Sequence, residues 1–315
     1  MTGGKEIVPV DFAGVRLVPA GGHGPEDVLV DGSGSVYTGL SDGRVVRIGA
    51  ADGRVETVAH VPGRPLGLEL LGSGELLVCA SDAGLLAVGL DDGRVRTLAD
   101  RVDGRPLGAV NNAAVADDGT VWFTDSSTRF PVPRWRDDLV QRTRSGRLLR
   151  RDPDGTVIEV LGGLEFANGV ALAADGSFVA VAETGARRVR RVWLTGPRSG
   201  QDDVLAEDLW GYPDNIATGS DGLIWVALPG PRLASLYAVQ RLPGAVRAMV
   251  RRLPERLQPA PDPAVGVVAL DGTGRTVRRL TGTIDGLSML TGVRESGGTL
   301  WLGSLEGDCI AALPC

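Results

Sequence analysis

Asn111-Asn112-Ala113-Ala114-Val115-Ala116-Asp117-Asp118-Gly119-Thr120-Val121-Trp122-Phe123-Thr124 is the stretch that decides the fold. Two short apolar runs flank an Asp-Gly pair. That pair is a strong hairpin signal, because glycine accepts the positive φ that tight turns need. The same pair recurs at Asp31-Gly32, Asp42-Gly43, Asp52-Gly53, Asp92-Gly93, Asp154-Gly155, Asp175-Gly176, Asp221-Gly222 and Asp271-Gly272. The segments between are rich in Val and Leu, as in Leu223-Ile224-Trp225-Val226-Ala227, and read as strands.

The hairpins share a register. An apolar pair opens the second strand of each unit: Val36-Tyr37, Leu76-Leu77, Val121-Trp122, Phe178-Val179, Ile224-Trp225 and Leu300-Trp301. Ten residues before each pair stand Glu26, Leu66, Asn111, Asn168, Asp214 and Leu290. Six such units in 315 residues average about fifty residues each, the size of a propeller blade. The expectation is an all-β, six-bladed β-propeller with a central metal-binding channel, forming one domain over 1–315. Val15-Arg16-Leu17-Val18 is expected to add a strand to the last blade, hiding its edge. Phe130 to Arg147 reads as a long loop in the third unit. Residues 229–263 read as a rim or lid insertion placed before the last blade, with a short helix over Ala245–Leu253.

Composition agrees. The chain has 46 glycines and 19 prolines, 43% hydrophobic and 23% charged residues, which excludes disorder and collagen. A net charge of −6 argues against nucleic acid as a partner. Cys79, Cys309 and Cys315 are too few for a disulfide framework, and Cys79 reads as a buried strand thiol. Neither an apolar leader near Met1 nor a membrane-spanning run is visible, so a cytoplasmic location and a small-molecule substrate are expected. Gly21-Gly22-His23-Gly24 precedes a strand and is a weak nucleotide signal.

Four of the six register positions carry oxygen-bearing side chains: Glu26, Asn111, Asn168 and Asp214. On innermost strands they would meet at one end of the channel. Two carboxylates there would be costly without a counter-charge. Carboxylate and amide oxygens with no sulfur or imidazole suit Ca²⁺, and suit Mg²⁺ less well.

These residues bring a resemblance into view. Gly24-Pro25-Glu26-Asp27, Arg64-Pro65-Leu66-Gly67, Phe123-Thr124-Asp125-Ser126, Phe166-Ala167-Asn168-Gly169, Val181-Ala182-Glu183-Thr184-Gly185 and Tyr212-Pro213-Asp214-Asn215-Ile216 resemble the strictosidine-synthase-like branch of the SMP-30/gluconolactonase/paraoxonase superfamily. The resemblance implies six blades and a channel calcium held at Glu26, Asn111, Asn168 and Asp214, with Asn215 as a further ligand. It departs at Asn111-Asn112, where relatives commonly have Asn-Asp. It also departs at Leu290-Thr291-Gly292-Val293, which lacks the carboxylate that strictosidine synthase uses.

The expected activity is calcium-dependent hydrolysis of a lactone or ester. Asp214 is the first candidate base and His23 the second. Asn112, Asp125, Arg129, Glu183, Trp210 and Tyr212 are expected to shape the substrate pocket. The alternatives are a non-hydrolytic cyclase or isomerase using the same channel, and a calcium-stabilised binding propeller without turnover.

Overall fold

The computed structural model describes residues 11–72, 74–253 and 262–315. The start of the chain, inspected above for a leader, and the end of the rim insertion lie outside these residues.

Six four-stranded antiparallel sheets follow one another along the chain. Each runs from an innermost to an outermost strand. The innermost strands are Leu29–Val30, Pro65–Leu71, Val110–Val115, Ala167–Leu172, Ile216–Thr218 and Ser288–Ser296. Innermost strands of successive blades contact one another around a common axis, and between the first two blades Val36–Gly39 makes the contact to Pro65–Leu71. The six-bladed propeller is therefore as the register implied. Its ring is closed by Arg16–Pro19, which pairs with Cys309–Pro314 as the outermost strand of the last blade. The pairing supplies the partner that the exposed edge of Cys309–Pro314 would otherwise lack.

The nine Asp-Gly pairs named above all work as turns. Each aspartate Oδ1 accepts the backbone N–H two residues on, at 2.8–3.1 Å. In seven, the glycine of the pair has positive φ. At Asp31 and Asp271 the positive φ falls two residues later, at Gly34 and Gly274. The blades pack through apolar faces. Trp225 and Phe123 are fully buried on second strands, and Cys79 is buried as read from its apolar run.

Both irregular segments differ from the sequence expectation. The segment between Phe130 and Arg147 is not simply a loop: it holds the helix α1 (Trp135–Gln141). Asp137 and Asp138 occupy its first turn, where they complement the helix dipole. Asp138 is buried and accepts hydrogen bonds from the Ser127 and Thr143 hydroxyls. The later insertion lies inside the fifth blade, between Ile224–Leu228 and Val265–Leu270, and not between blades. It carries α2 (Ala234–Gln240) and α3 (Gly244–Val250). Both insertions leave from the end of a blade's second strand, so both rise on the same rim. There α1 contacts α2 and α3. The Gln240 side-chain amide donates to the Leu139 carbonyl at 3.0 Å, and Arg251 pairs with Asp137 at 3.5 Å. The Phe130 ring has the Arg134 and Arg251 guanidinium groups at 5.1 Å each.

Glycine at the axis is a packing requirement. A Cβ at Gly169 would lie 2.2 Å from the Ile216 amide nitrogen and 2.6 Å from the Asn215 carbonyl carbon. At Gly272, in a surface turn, a Cβ would meet nothing within 4 Å. Gly169→Ala is therefore expected to lower urea-denaturation stability by about 1–3 kcal/mol or more. Gly272→Ala should stay within about 0.5 kcal/mol of the parent.

Candidate active site at the propeller axis

Four of the six innermost strands carry the same irregularity. Their pairing with the second strand slips between Pro65 and Leu68, Val110 and Ala113, Ala167 and Val170, and Leu290 and Val293. The two residues in each slip are Leu66-Gly67, Asn111-Asn112, Asn168-Gly169 and Thr291-Gly292. Such bulges re-aim side chains. In the first and fifth blades the corresponding pairs, Glu26-Asp27 and Asp214-Asn215, stand just before the strand. The first member of all six pairs lines one cavity of about 260 Å³ beneath the three helices. The second members lie below, where the strands crowd the axis. Cβ atoms at Gly67, Gly169 and Gly292 would each come within 3 Å of the next blade's backbone. In the last blade the ten-residue count falls one short: Leu290 is fully buried, and Thr291 takes the cavity position.

The floor is an oxygen cluster with unmet demand. Among the described residues, three buried side-chain oxygens have no hydrogen-bond partner. They are the Oδ1 atoms of Asn111, Asn168 and Asn215. Their orientation is held from behind. Asn111 Nδ2 donates to Ser126 Oγ at 3.0 Å, and Asn168 Nδ2 to Thr184 Oγ1 at 3.2 Å. Thr184 Oγ1 in turn donates to the Pro213 carbonyl. Asn215 Nδ2 donates to both Glu26 carboxylate oxygens at 3.2 Å. With each NH₂ engaged, each carbonyl oxygen is left free. A buried acceptor without a partner costs about 1–3 kcal/mol.

The carboxylates report the same deficit. Burial raises Glu26 well above the usual carboxylate range, and the charges of Asp214 and Asp27 push it further. Arg64, whose Nη2 donates to the Gly24 and Leu305 carbonyls, and Asn215 pull it back. Burial pushes Asp214 up to about 7, against the hydrogen bond of Asn168 and with the charge of Asp27. Asp27 is pushed up to about 6 by burial, opposed first by Arg294.

The other candidates separate. Tyr212 lines the cavity, its hydroxyl accepting from the Leu233 N–H at 3.2 Å. Asn112 does not reach the cavity. Its Nδ2 points at Asp27 and its Oδ1 accepts the Val170 N–H, so it braces three blades from below. Asp125 and Glu183, each at the end of a second strand, are fully buried outside the cavity. Asp125 accepts the Gly108 and Ala109 N–H groups and pairs with Arg147 at 2.7 Å. Glu183 accepts the Glu165 N–H and pairs with Arg188 at 2.6 Å. Both are braces between the inner strand's start and the third strand, which accounts for their burial. Arg129 is exposed and does not line the cavity. Trp210 does not line the cavity; its ring sits against Gly266, where a Cβ would meet it at 3.0 Å. His23 lies on the rim, 60% exposed, with Nδ1 3.0 Å from Asp308 Oδ1. Sequence reasoning passed over Asp27, Arg64, Thr184 and Thr291. The doublets Glu26-Asp27 and Asp214-Asn215 carried a signal for Asp27; nothing local marked the threonines.

The donor set fits a hard cation: two carboxylates and three free amide oxygens, without sulfur or imidazole. No group of three or more His, Cys, Asp or Glu side chains among the described residues is placed to hold a metal ion by itself; in this set amides would supply the remaining oxygens. Carboxyl groups with folded pKa values above their unfolded values favour the fold below about pH 4. That contribution is lost as pH rises through about 6 to 7. In the presence of chelator, the urea midpoint is therefore expected to fall between about pH 5 and pH 8. Excess calcium should shrink the difference, because a bound cation replaces the protons. Equal midpoints at both pH values in chelator would contradict this reading of the floor.

A family profile described as "SMP-30/Gluconolactonase/LRE-like region" matches residues 36–251, and one described as "Strictosidine synthase-like, N-terminal" matches residues 11–48. The Arabidopsis thaliana protein strictosidine synthase-like 10 is 33% identical, over 96% of this chain and 91% of its own length. Three longer Arabidopsis relatives of the same series are covered over 64%, 60% and 56% of their lengths. Among solved structures, a gluconolactonase from Xanthomonas campestris superposes with a TM-score of 0.70 at 17% identity, covering 98% of this chain and 93% of that one. A calcium-binding regucalcin from Agrobacterium tumefaciens gives 0.68 at 17%, covering 98% and 95%. At that identity the two structures speak for the fold. No helix among the described residues is long and apolar enough to cross a membrane. The shared profiles, the full-length relative and the six-bladed fold place this chain in the SMP-30/gluconolactonase/LRE-like family, with the strictosidine synthase-like proteins as relatives.

Proposed function

We propose that the chain is a calcium-dependent hydrolase of a lactone or ester. The observation that carries this reading is the floor: Glu26, Asp214 and the partnerless amides of Asn111 and Asn168 line one end of a capped cavity, and Asn215, with its own partnerless oxygen, bonds to Glu26 from below. Glu26, Asn111, Asn168, Asp214 and Asn215 are the proposed ligands. A calcium ion there would neutralise the carboxylates and act as a Lewis acid toward a carbonyl oxygen.

The chain's own residues divide the remaining work. Glu26 is buried and tied to Asn215, so it is fixed as a ligand. Asp214 is half-buried and faces the cavity, so it is the group that can reach water. It takes a proton as the water oxygen bonds to the carbonyl carbon, and returns it to the ring or alkoxy oxygen as that C–O bond breaks. A lactone and one water give one hydroxy acid. Tyr212 and the three helices limit access of bulk water. The cap also supports a second reading, a cyclase or isomerase that excludes water altogether.

Asp214→Asn is expected to abolish both calcium binding and turnover, and chelator should silence the parent enzyme. Because His23 sits on the rim, His23→Ala should leave kcat/KM within about twofold. An Asp214→Asn enzyme that still hydrolyses lactones and aryl esters at the parent rate would remove the hydrolase assignment. So would activity insensitive to chelator. Silence of the parent on every ester and lactone, with intact calcium binding, would favour the cyclase reading or a calcium-stabilised binding propeller.

A further inference from the structure

Above the floor the cavity wall is mostly apolar. Trp135 and Leu139 come from α1, and Leu236 and Val239 from α2. Phe166 and Met289 come from the blades. These last two have φ of +61° and +49°, a conformation that bulky side chains rarely adopt. Holding it costs free energy that the surrounding packing must offset. Each stands two residues before the cavity-lining member of its blade, Asn168 or Thr291, so the strained backbone sets an apolar side chain at the border of the oxygen floor.

Most polar lining groups already have a partner; the Ser235 hydroxyl, Arg251 Nε and the Tyr212 O–H proton remain to meet a ligand. Thr184 Oγ1 donates to the Pro213 carbonyl and accepts from Asn168. Thr291 Oγ1 donates to the Glu26 carbonyl at 2.8 Å. The Tyr212 hydroxyl accepts the Leu233 N–H. Asp137 is paired with Arg134 and Arg251, Arg136 lies over the Trp135 ring, and Asp262 accepts the Ala264 N–H. A polyhydroxylated substrate would bring several hydroxyl groups into this space. Each hydroxyl left without a partner costs about 1–3 kcal/mol. An alkyl or aryl substituent would instead gain about 0.8 kcal/mol per buried methylene.

We infer that the cavity selects lactones or esters bearing an apolar chain or ring, and rejects sugar lactones. This rests on the hydrolase reading for its chemistry and on the walls for its selectivity. The test therefore has two arms. In the first, kcat/KM is measured for δ-lactones whose alkyl tails lengthen stepwise, and for glucono-δ-lactone. The expected result is a rise of about two- to fourfold per methylene until the cavity is filled. Gluconolactone should be roughly a hundredfold or more poorer than the best alkyl lactone. In the second arm, calorimetry measures binding of 2-alkyl tetrahydropyrans, which have no carbonyl to hydrolyse. Affinity should climb with tail length, and Leu236→Asn should flatten the climb in both arms. If no lactone or ester turns over, the hydrolase reading fails, while a tail-dependent affinity still upholds the selectivity. Gluconolactone turnover matching the alkyl lactones would overturn the inference. So would tetrahydropyran binding that is absent or independent of tail length.

Discussion

Six strands that converge on one axis cannot all carry side chains at the point of closest approach. The structure meets this constraint with two-residue steps. One residue turns up into the cavity, and the next either has no side chain, as at Gly67, Gly169 and Gly292, or has a polar one that bonds within the crowd. Asp27, Asn112 and Asn215 are the polar exceptions. Asp27 takes the Leu68 N–H, Asn112 takes the Val170 N–H, and Asn215 donates to Glu26. The packing problem and the chemical site thus share one solution. What lets the strands approach also raises six side chains to a common floor.

That floor is stable only if its charge is answered. Burial penalises ionised Glu26 and Asp214, and the nearby positive groups Arg64 and Arg294 act on Glu26 and Asp27 respectively. Asp214 has no such cation among the causes of its shift. Asn111 and Asn168 turn their NH₂ groups away to Ser126 and Thr184, and Asn215 turns its NH₂ to Glu26, so three amide oxygens are left free. Two protonated carboxyls offer at most two O–H donors to three amide oxygens; a hard cation answers carboxylates and amides together. The cap adds a second property. Two insertions from different blades meet over the floor through Gln240, Arg251 and Asp137, and their inner faces are apolar.

Much of this was legible in the sequence, and for identifiable reasons. Asp-Gly turns and short apolar runs report local geometry, so blade number, the closing strand and five of the six floor positions could be counted. The count slipped at Leu290 because the last blade's hairpin has only Gly297 and Gly298 between its strands. Charge was the poorer guide. Asp125 and Glu183 look like pocket acids, yet each sits at a strand end where buried N–H groups and a cross-strand arginine need an acceptor. That need depends on pairing between strands, which no local pattern displays. The insertion's place inside the fifth blade was hidden likewise, since chain order does not reveal which strands it separates. His23 has the right chemistry for a base, but its loop leads to the rim.

The central claim is that the oxygen floor is a calcium site, and crystals grown with calcium would test it most directly through anomalous diffraction. The account predicts one ion on the axis, at roughly 2.3–2.6 Å from oxygens of Glu26, Asn111, Asn168 and Asp214, with Asn215 Oδ1 completing the set. An empty floor at saturating calcium, or an ion bound only away from the axis, would contradict it.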